Sequence, residues 1–160
     1  MTDMELQGQA YEQQIREIVA DLFLAMLQME VDLALHGESN HASVVTATIE
    51  LNGSWEGILE LRCSRAQAHC FAERFLQMTL TEHDAEVHDT IGELANIIAG
   101  NLKLALPARV SLGTPRVVFG PAAEVRMPIG KLVGSHCFAS DAGLFSVTLL
   151  KSENEVRSEG

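Results

Sequence analysis

Residues 88–106 read HDTIGELANIIAGNLKLAL, and this stretch decides the fold because its apolar residues recur at helical spacing. On a wheel at about 100° per residue, one stripe is apolar along its whole length. It consists of Val87, Ile91, Leu94, Ala95, Ile98, Leu102 and Ala105. Such a stripe predicts an amphipathic helix with one face in a core. The helix is expected to start at an N-cap, Thr81, with Asp84 three residues on, and to end at Leu106 before Pro107.

The opposite face of this helix is polar and includes a glycine. Its residues are Asp89, Glu93, Asn96, Gly100 and Lys103, with Ile97 and Leu104 on its flanks. Glu93 and Asn96 are three residues apart, so their side chains project together from neighbouring turns. A glycine inside a helix costs about 1 kcal/mol relative to alanine. Gly100 is either merely tolerated or leaves room for another molecule, and together with its neighbours it favours a contact surface.

Upstream of this helix, the pattern predicts a helix, a β-hairpin and a second helix. The first helix covers about Met4 to Leu27, and its apolar face is Ile15, Ile18, Val19, Leu22, Phe23 and Met26. The hairpin joins a strand at 43–51 to one at 58–63 through Asn52-Gly53, a strong signal for a tight turn. Ser64 and Gln67 form a capping box that opens the second helix, which should end near Met78.

Downstream, the last third of the chain is strand-like. A short strand is expected at 115–119, and strands at 133–139 and 144–150 should pair across Asp141-Ala142-Gly143. Both hairpins share one plan, which suggests two diverged copies of a helix-plus-hairpin unit. The fold class is therefore α+β: a two-layer sandwich with helices packed on a mostly antiparallel sheet. We expect one domain over residues 1–151, followed by a mobile tail at 152–160, where Ser152 to Glu155 would otherwise open a helix.

Composition excludes several classes of function. The net charge of −11 and pI of about 4.9 disfavour binding to nucleic acid or to an anionic membrane. The N-terminal residues are polar and acidic, unlike a signal peptide, and no apolar run is long enough to span a bilayer. The three cysteines, Cys63, Cys70 and Cys137, suit reduced thiols better than a disulfide framework. These features predict a soluble cytoplasmic protein.

The chain shows no strong signal for a metal or a cofactor. His83 and His88 lie five residues apart, which is not the spacing of a helical metal pair, and with Glu86 and Asp89 they are interpreted as a solvated helix start. Cys63 and Cys70 have no second pair to complete a zinc site. We therefore expect this chain to bind neither.

The sequence Glu93-Leu94-Ala95-Asn96, continued by IIAGN, resembles the E-x-x-N-x-x-x-G helix of the CheC/CheX/FliY family of chemotaxis phosphatases, and most closely its CheX branch. The hairpin with Trp55-Glu56-Gly57, the helix order and the closing hairpin agree with that family. Pro115 resembles a proline that the family carries in a short downstream strand. The connection from Asn96 to Pro115 is several residues shorter here than in the family pattern.

The resemblance implies a substrate and a set of roles. The substrate would be the phospho-aspartate of a CheY-like response-regulator receiver domain, with Mg²⁺ held in that partner's site. Asn96 would position the attacking water, and Glu93 would pair with the regulator's lysine. Partner contacts are expected at Asp89, Ile97, Gly100 and Pro115, with Ala99 and Gly100 letting the helix sit close. The CheX branch also implies a homodimer.

Two other interpretations remain open. The same face could dock a receiver domain or a flagellar-switch protein without any catalysis. Alternatively, the exposed helix could be an oligomer contact in a structural homodimer. Decay of the phosphorylated regulator separates the first from the enzyme, and solvent exposure of Asn96 in the assembled oligomer tests the second.

Overall fold

The computed structural model describes residues 3–34, 43–81, 85–106, 109–121 and 130–152, and at residues 3–10 and 43 it describes the backbone alone. These residues form three helices and seven strands. In chain order they are α1 (Asp3–Leu27), β1 (Asp32–Leu33), β2 (Ser43–Gly53), β3 (Gly57–Ser64), α2 (Arg65–Leu76), α3 (Ala85–Lys103), β4 (Val110–Leu112), β5 (Arg116–Pro121), β6 (Lys131–Ser140) and β7 (Gly143–Lys151). None of the described helices combines the length and the apolar character that crossing a membrane requires.

The strands form one sheet in the order β1-β6-β7-β3-β2-β4, with β5 also beside β2. All of these pairings are antiparallel. Alternate residues of β2, β3 and β7 point into a single core that also contains the apolar faces of all three helices. The predicted fold class, an α+β sandwich with helices packed on an antiparallel sheet, is confirmed.

Aromatic side chains join the layers of this core. The ring of Phe23 on α1 lies 5.1 Å from that of Phe71 on α2 and 4.9 Å from that of Phe145 on β7. Phe138 on β6 stacks on Phe145 at 5.4 Å. Aromatic pairs at these separations contribute about 0.5–1.5 kcal/mol beyond the area that they bury. The cluster therefore fixes α1 and α2 against one half of the sheet.

The hairpins are arranged as the proposed duplication would require. β3 and β7 pair at the centre of the sheet, and β2 and β6 lie outside them. In the proposed duplication, α1 belongs with the β2–β3 hairpin and α3 with the β6–β7 hairpin. Helix α1 packs on β6, whereas α3 packs on β2, so each helix covers the hairpin of the other copy. This arrangement approximates a two-fold axis between β3 and β7. Duplication of the sequence itself stays a prediction.

The helix predictions are largely confirmed. In the capping box, the Gln67 amide donates to Ser64 Oγ at 3.0 Å and the Ser64 amide donates to Gln67 Oε1 at 2.8 Å. Helix α2 ends at Leu76, two residues early, because Gln77 takes a left-handed conformation at φ 55°. Met26 was expected in the core but is 46% exposed, since α1 turns it away from the sheet.

The predicted Asn52-Gly53 turn is wrong. Both residues continue β2 and pair with β4, a strand that the sequence pattern did not predict, and the chain turns at Ser54–Glu56 instead. Gly53 has φ 139°, and a Cβ there would collide with the Arg109 carbonyl of the neighbouring segment. The second predicted turn, at 141–143, is confirmed, because Ser140 pairs with Gly143.

Two predictions concern residues that are only partly described. Beyond Ser152, the predicted mobile tail lies outside the described residues, and so does the helix that would begin there. Asp84 of the cap predicted for the long helix is likewise not described. That helix ends at Lys103, and amide bonds to the carbonyl three residues earlier continue one tighter turn to Leu106.

Candidate functional site

The predicted core stripe holds α3 against the sheet. Six of its members have relative exposures of 2% or less: Val87, Ile91, Leu94, Ala95, Ile98 and Leu102. Ala105, just past the helix end, is half-buried. They contact β2, β3 and the other two helices. The face that the sequence assigned to function is therefore turned away from the core by packing on the other side.

Glu93 and Asn96 lie on that outward face. Glu93 is exposed and Asn96 is half-buried. In the described part of the chain, neither side chain makes a hydrogen bond or an ion pair. By contrast, the neighbouring Asn101 donates from its side-chain amide to the Ile97 carbonyl at 2.9 Å. The carboxylate and carboxamide singled out from the sequence are thus available to another molecule, while Asn101 is engaged within its own helix.

Asn96 lies between two glycines on one row of the helix. Gly92, Asn96 and Gly100 are spaced by four residues, so they follow one another along the same side of α3. Among the described residues, a Cβ added at Gly100 would have one neighbour within 4 Å, Leu112 Cδ1 at 3.9 Å, which is an ordinary contact. Packing within the described residues therefore does not require this glycine. Its absence of a side chain leaves the helix backbone open beside Asn96.

Gly92 is a functional candidate that the sequence analysis missed. It is buried, and a Cβ there would lie 3.2 Å from Val117 Cγ2 and 3.3 Å from Pro115 Cβ. These separations are tighter than ordinary contacts, so the glycine lets α3 pack closely on the segment that contains β5. The sequence could have indicated Gly92, because it is a second helical glycine and lies one turn before Asn96.

The strands β4 and β5 form one edge strand that is interrupted by a bulge. Leu112 pairs with Leu51 and Arg116 pairs with Thr48, so the three residues 113–115 oppose only two residues of β2. One extra residue reverses the alternation of side chains along a strand. As a result Leu112, before the bulge, and Val117, after it, both face the helices.

Pro115 ends this bulge and packs against α3. It was expected within a strand at 115–119, but the strand starts one residue later, at Arg116. A proline cannot donate to a sheet ladder, and edge positions and bulges accommodate it. Pro115 is half-buried, with its Cβ beside Gly92. That Pro115 contacts a partner stays a prediction, and its observed contact is with its own helix.

His88 ties α3 to the edge strand although it is exposed, as are Glu86 and Asp89, which agrees with a solvated helix start. Its Nε2–H donates to the Val117 carbonyl at 3.0 Å, and its ring stacks on Phe119 with centroids 5.2 Å apart. The Arg65 guanidinium lies 5.5 Å from the centroid of the same Phe119 ring. The Val117 carbonyl is thereby satisfied, and the start of α3 is anchored. His83 lies outside the described residues.

The other residues that were predicted to contact or border a partner differ in their exposure. Asp89 is exposed and Ile97 is half-buried, so both border the Glu93–Asn96 face. Leu104 is 80% exposed just beyond the helix. Ala99 was expected to let a partner approach, but it is fully buried in the core, so that expectation is wrong.

Two buried titratable side chains lie on the sheet, on β3 and β6. Burial raises the pKa of Glu60, which is on the sheet face away from the helices, although the nearby Arg62 partly offsets this. Burial lowers the pKa of His136 on β6. The described residues contain no group of three side chains suited to a metal ion. The outward face of α3 offers a carboxylate and a carboxamide that make no hydrogen bond to a described residue.

Comparison with known proteins agrees with this arrangement. Residues 45–139, more than half of the chain and including all of α3, match the family model described as chemotaxis phosphatase CheX. The chain belongs to the CheX family. No curated protein matches the chain.

Solved CheX structures share the fold at low sequence identity. CheX from Vibrio vulnificus superposes with a TM-score of 0.74 at 18% identity, covering 89% of this chain and 96% of that one. CheX from Desulfovibrio desulfuricans gives 0.75 at 15% identity, covering 89% and 99%. A third, from Borrelia burgdorferi, is a complex of CheX with CheY, BeF₃ and magnesium, with a TM-score of 0.69 at 18% identity and coverage of 89% and 98%.

Proposed function

We propose that this protein hydrolyses the aspartyl phosphate of a CheY-like receiver domain, with Asn96 positioning the attacking water. One observation carries the proposal: Glu93 and Asn96 face outward together, with no hydrogen-bond partner among the described residues, on a helix whose opposite face is buried in the core. Membership of a family of chemotaxis phosphatases supports it. The Borrelia CheX complex with CheY supports a receiver domain as the partner.

An asparagine suits this reaction because phosphoryl transfer depends mainly on positioning and on charge stabilisation. A carboxamide has both a donor and an acceptor, and no charge that would repel phosphoryl oxygens. Asn96 can therefore accept from a water and orient it in line with the bond that breaks. The bare backbone at Gly100 lets the receiver's pocket approach the amide.

Glu93 has a different role, which is to register the helix on the receiver. Its carboxylate is exposed and would pair with a lysine beside the phosphoryl group. Removing one member of a desolvated charge pair costs about 2–5 kcal/mol of binding. Asp89, on the preceding turn, adds negative charge to the same face. Mg²⁺ would be held by the receiver, and the proposal requires no metal on this chain.

The decisive experiment measures decay of a phosphorylated receiver domain with and without this protein. Asn96→Ala should lower the stimulated rate by about 100-fold, the order of loss that a misplaced reacting group causes. Binding should largely survive. Asn101→Ala is the matched control: it removes a carboxamide from the same helix, but one already bonded to the Ile97 carbonyl. It should leave the stimulated rate unchanged.

The outcomes separate the enzyme from the alternatives. Binding of the receiver without any acceleration of decay would indicate a non-catalytic docking module. Equal rates for Asn96→Ala and wild type would remove Asn96 from the mechanism. Homodimerisation stays a prediction, and a dimer that buried Asn96 would contradict the proposed function.

A further inference from the structure

The edge strand brings a second segment next to Asn96. Pro115 lies against Gly92, whereas Leu112 lies against Gly100, so the strand runs antiparallel to α3 beside the row that carries Asn96. These two contacts enclose residues 113 and 114. Because Asn96 is midway between the two glycines, the bulge passes at its level. The distance along the helix from Gly92 to Gly100 is about 12 Å, the span of eight residues at the helical rise.

Within the bulge, the residues on either side of Thr114 are held by the protein itself. The Gly113 amide donates to the Glu50 carbonyl at 2.8 Å, and a Cβ at Gly113 would lie 3.3 Å from that of Glu50. Pro115 packs on Gly92. Thr114 is exposed, and its hydroxyl makes no hydrogen bond to a described residue. The bulge is thus anchored at both ends and presents one unengaged side chain.

We propose that Thr114 is a specificity-determining contact for the receiver domain that Asn96 enters, an inference that rests on the proposed function. A receiver whose phosphorylated pocket admits Asn96 must bring the rim of that pocket over the adjacent bulge. Bulges re-aim side chains beside functional sites. Here the bulge also keeps Leu112 and Val117 packed on the helix side, so the strand on both sides of Thr114 is anchored to the core.

The test compares two arginine substitutions on the same edge strand. Thr114→Arg should lower the affinity for a receiver domain loaded with beryllofluoride and Mg²⁺ by about tenfold or more, because a long charged side chain must be accommodated in the contact. Ser111→Arg is the matched control. Ser111 is also a small exposed hydroxyl residue, but its hydroxyl donates to the Asn52 carbonyl at 3.3 Å, and it lies beyond Leu112, outside the stretch between the contacts at Gly92 and Gly100. It should bind the receiver as wild type does.

A smaller variant guards against misfolding of the arginine variant. Thr114→Asp places a carboxylate near the phosphoryl group and should also weaken binding, by charge repulsion. Isothermal titration calorimetry gives the affinities, and thermal unfolding confirms that each variant is folded. Wild-type affinity in either folded Thr114 variant, or an equal loss in Ser111→Arg, would overturn the assignment.

The result is distinguishable from failure of the proposed function. If Asn96→Ala loses turnover while the Thr114 variants bind normally, the phosphatase stands and Thr114 is not a contact. If wild-type protein does not bind the loaded receiver at all, both conclusions fall together.

Discussion

Gly92 and Gly100 lie on the same row of α3, one turn to either side of Asn96, yet they meet different surroundings. At Gly92, an added methyl group would press on Val117 and Pro115 at 3.2 and 3.3 Å. At Gly100, the nearest described side chain would be Leu112, at 3.9 Å. The first glycine lets the helix pack on its own edge strand. The second leaves space that the described residues do not fill, which is why we assign that space to a partner.

The comparison predicts its largest effect at Gly92. Gly92→Ala should lower the free energy of unfolding by up to about 2 kcal/mol, because overpacking costs about 1–3 kcal/mol and the better helix propensity of alanine offsets about 1 kcal/mol of that. Stimulated dephosphorylation should fall as well, since the helix that carries Asn96 must move relative to the bulge. Chemical denaturation and the receiver decay assay measure the two effects.

A compensating substitution sharpens this prediction. Val117→Ala removes the Cγ2 that lies nearest to the added methyl group. In the Gly92→Ala background it should restore turnover towards that of the Val117→Ala single variant. A double variant that simply adds the two losses would show that the contact does not position the helix.

A smaller effect of opposite sign in stability is expected at Gly100. Gly100→Ala should raise the free energy of unfolding by up to about 1 kcal/mol, because alanine is the better helix former and the site is open. Affinity for a beryllofluoride-loaded receiver should fall by about fivefold, since the methyl group occupies the approach path beside Asn96. Unchanged affinity in this more stable variant would mean that no partner packs closely over Gly100.

The same two glycines show which features can be predicted from the sequence and which cannot. The helical period placed Leu94 and Ile98 in the core and Glu93 and Asn96 outside it, because periodicity alone decides which side of a helix is apolar. The capping box was predictable for a similar reason, since both of its partners are local. Whether side chains pack against a helical glycine depends instead on which strand lies beside the helix in the fold.

What the sequence could not indicate is non-local. Asn52-Gly53 has the composition of a tight turn, but β4 pairs with both residues and extends the strand through them. The bulge at 113–115 exists only as a shift in register against β2. The contact of His88 with Val117 likewise depends on a strand almost thirty residues away in sequence. These features complete the surroundings of Asn96, so the candidate residues were predictable and their setting was not.

The most direct test of the central claim observes the side-chain amide of Asn96 by nuclear magnetic resonance. Its two proton signals can be assigned by their loss in Asn96→Ala. On addition of a receiver domain loaded with beryllofluoride and Mg²⁺, they should shift strongly and become protected from exchange with water, while those of Asn101 change little. Signals of Asn96 that remain unshifted and fully exchanging in the saturated complex would contradict its entry into the phosphorylated pocket.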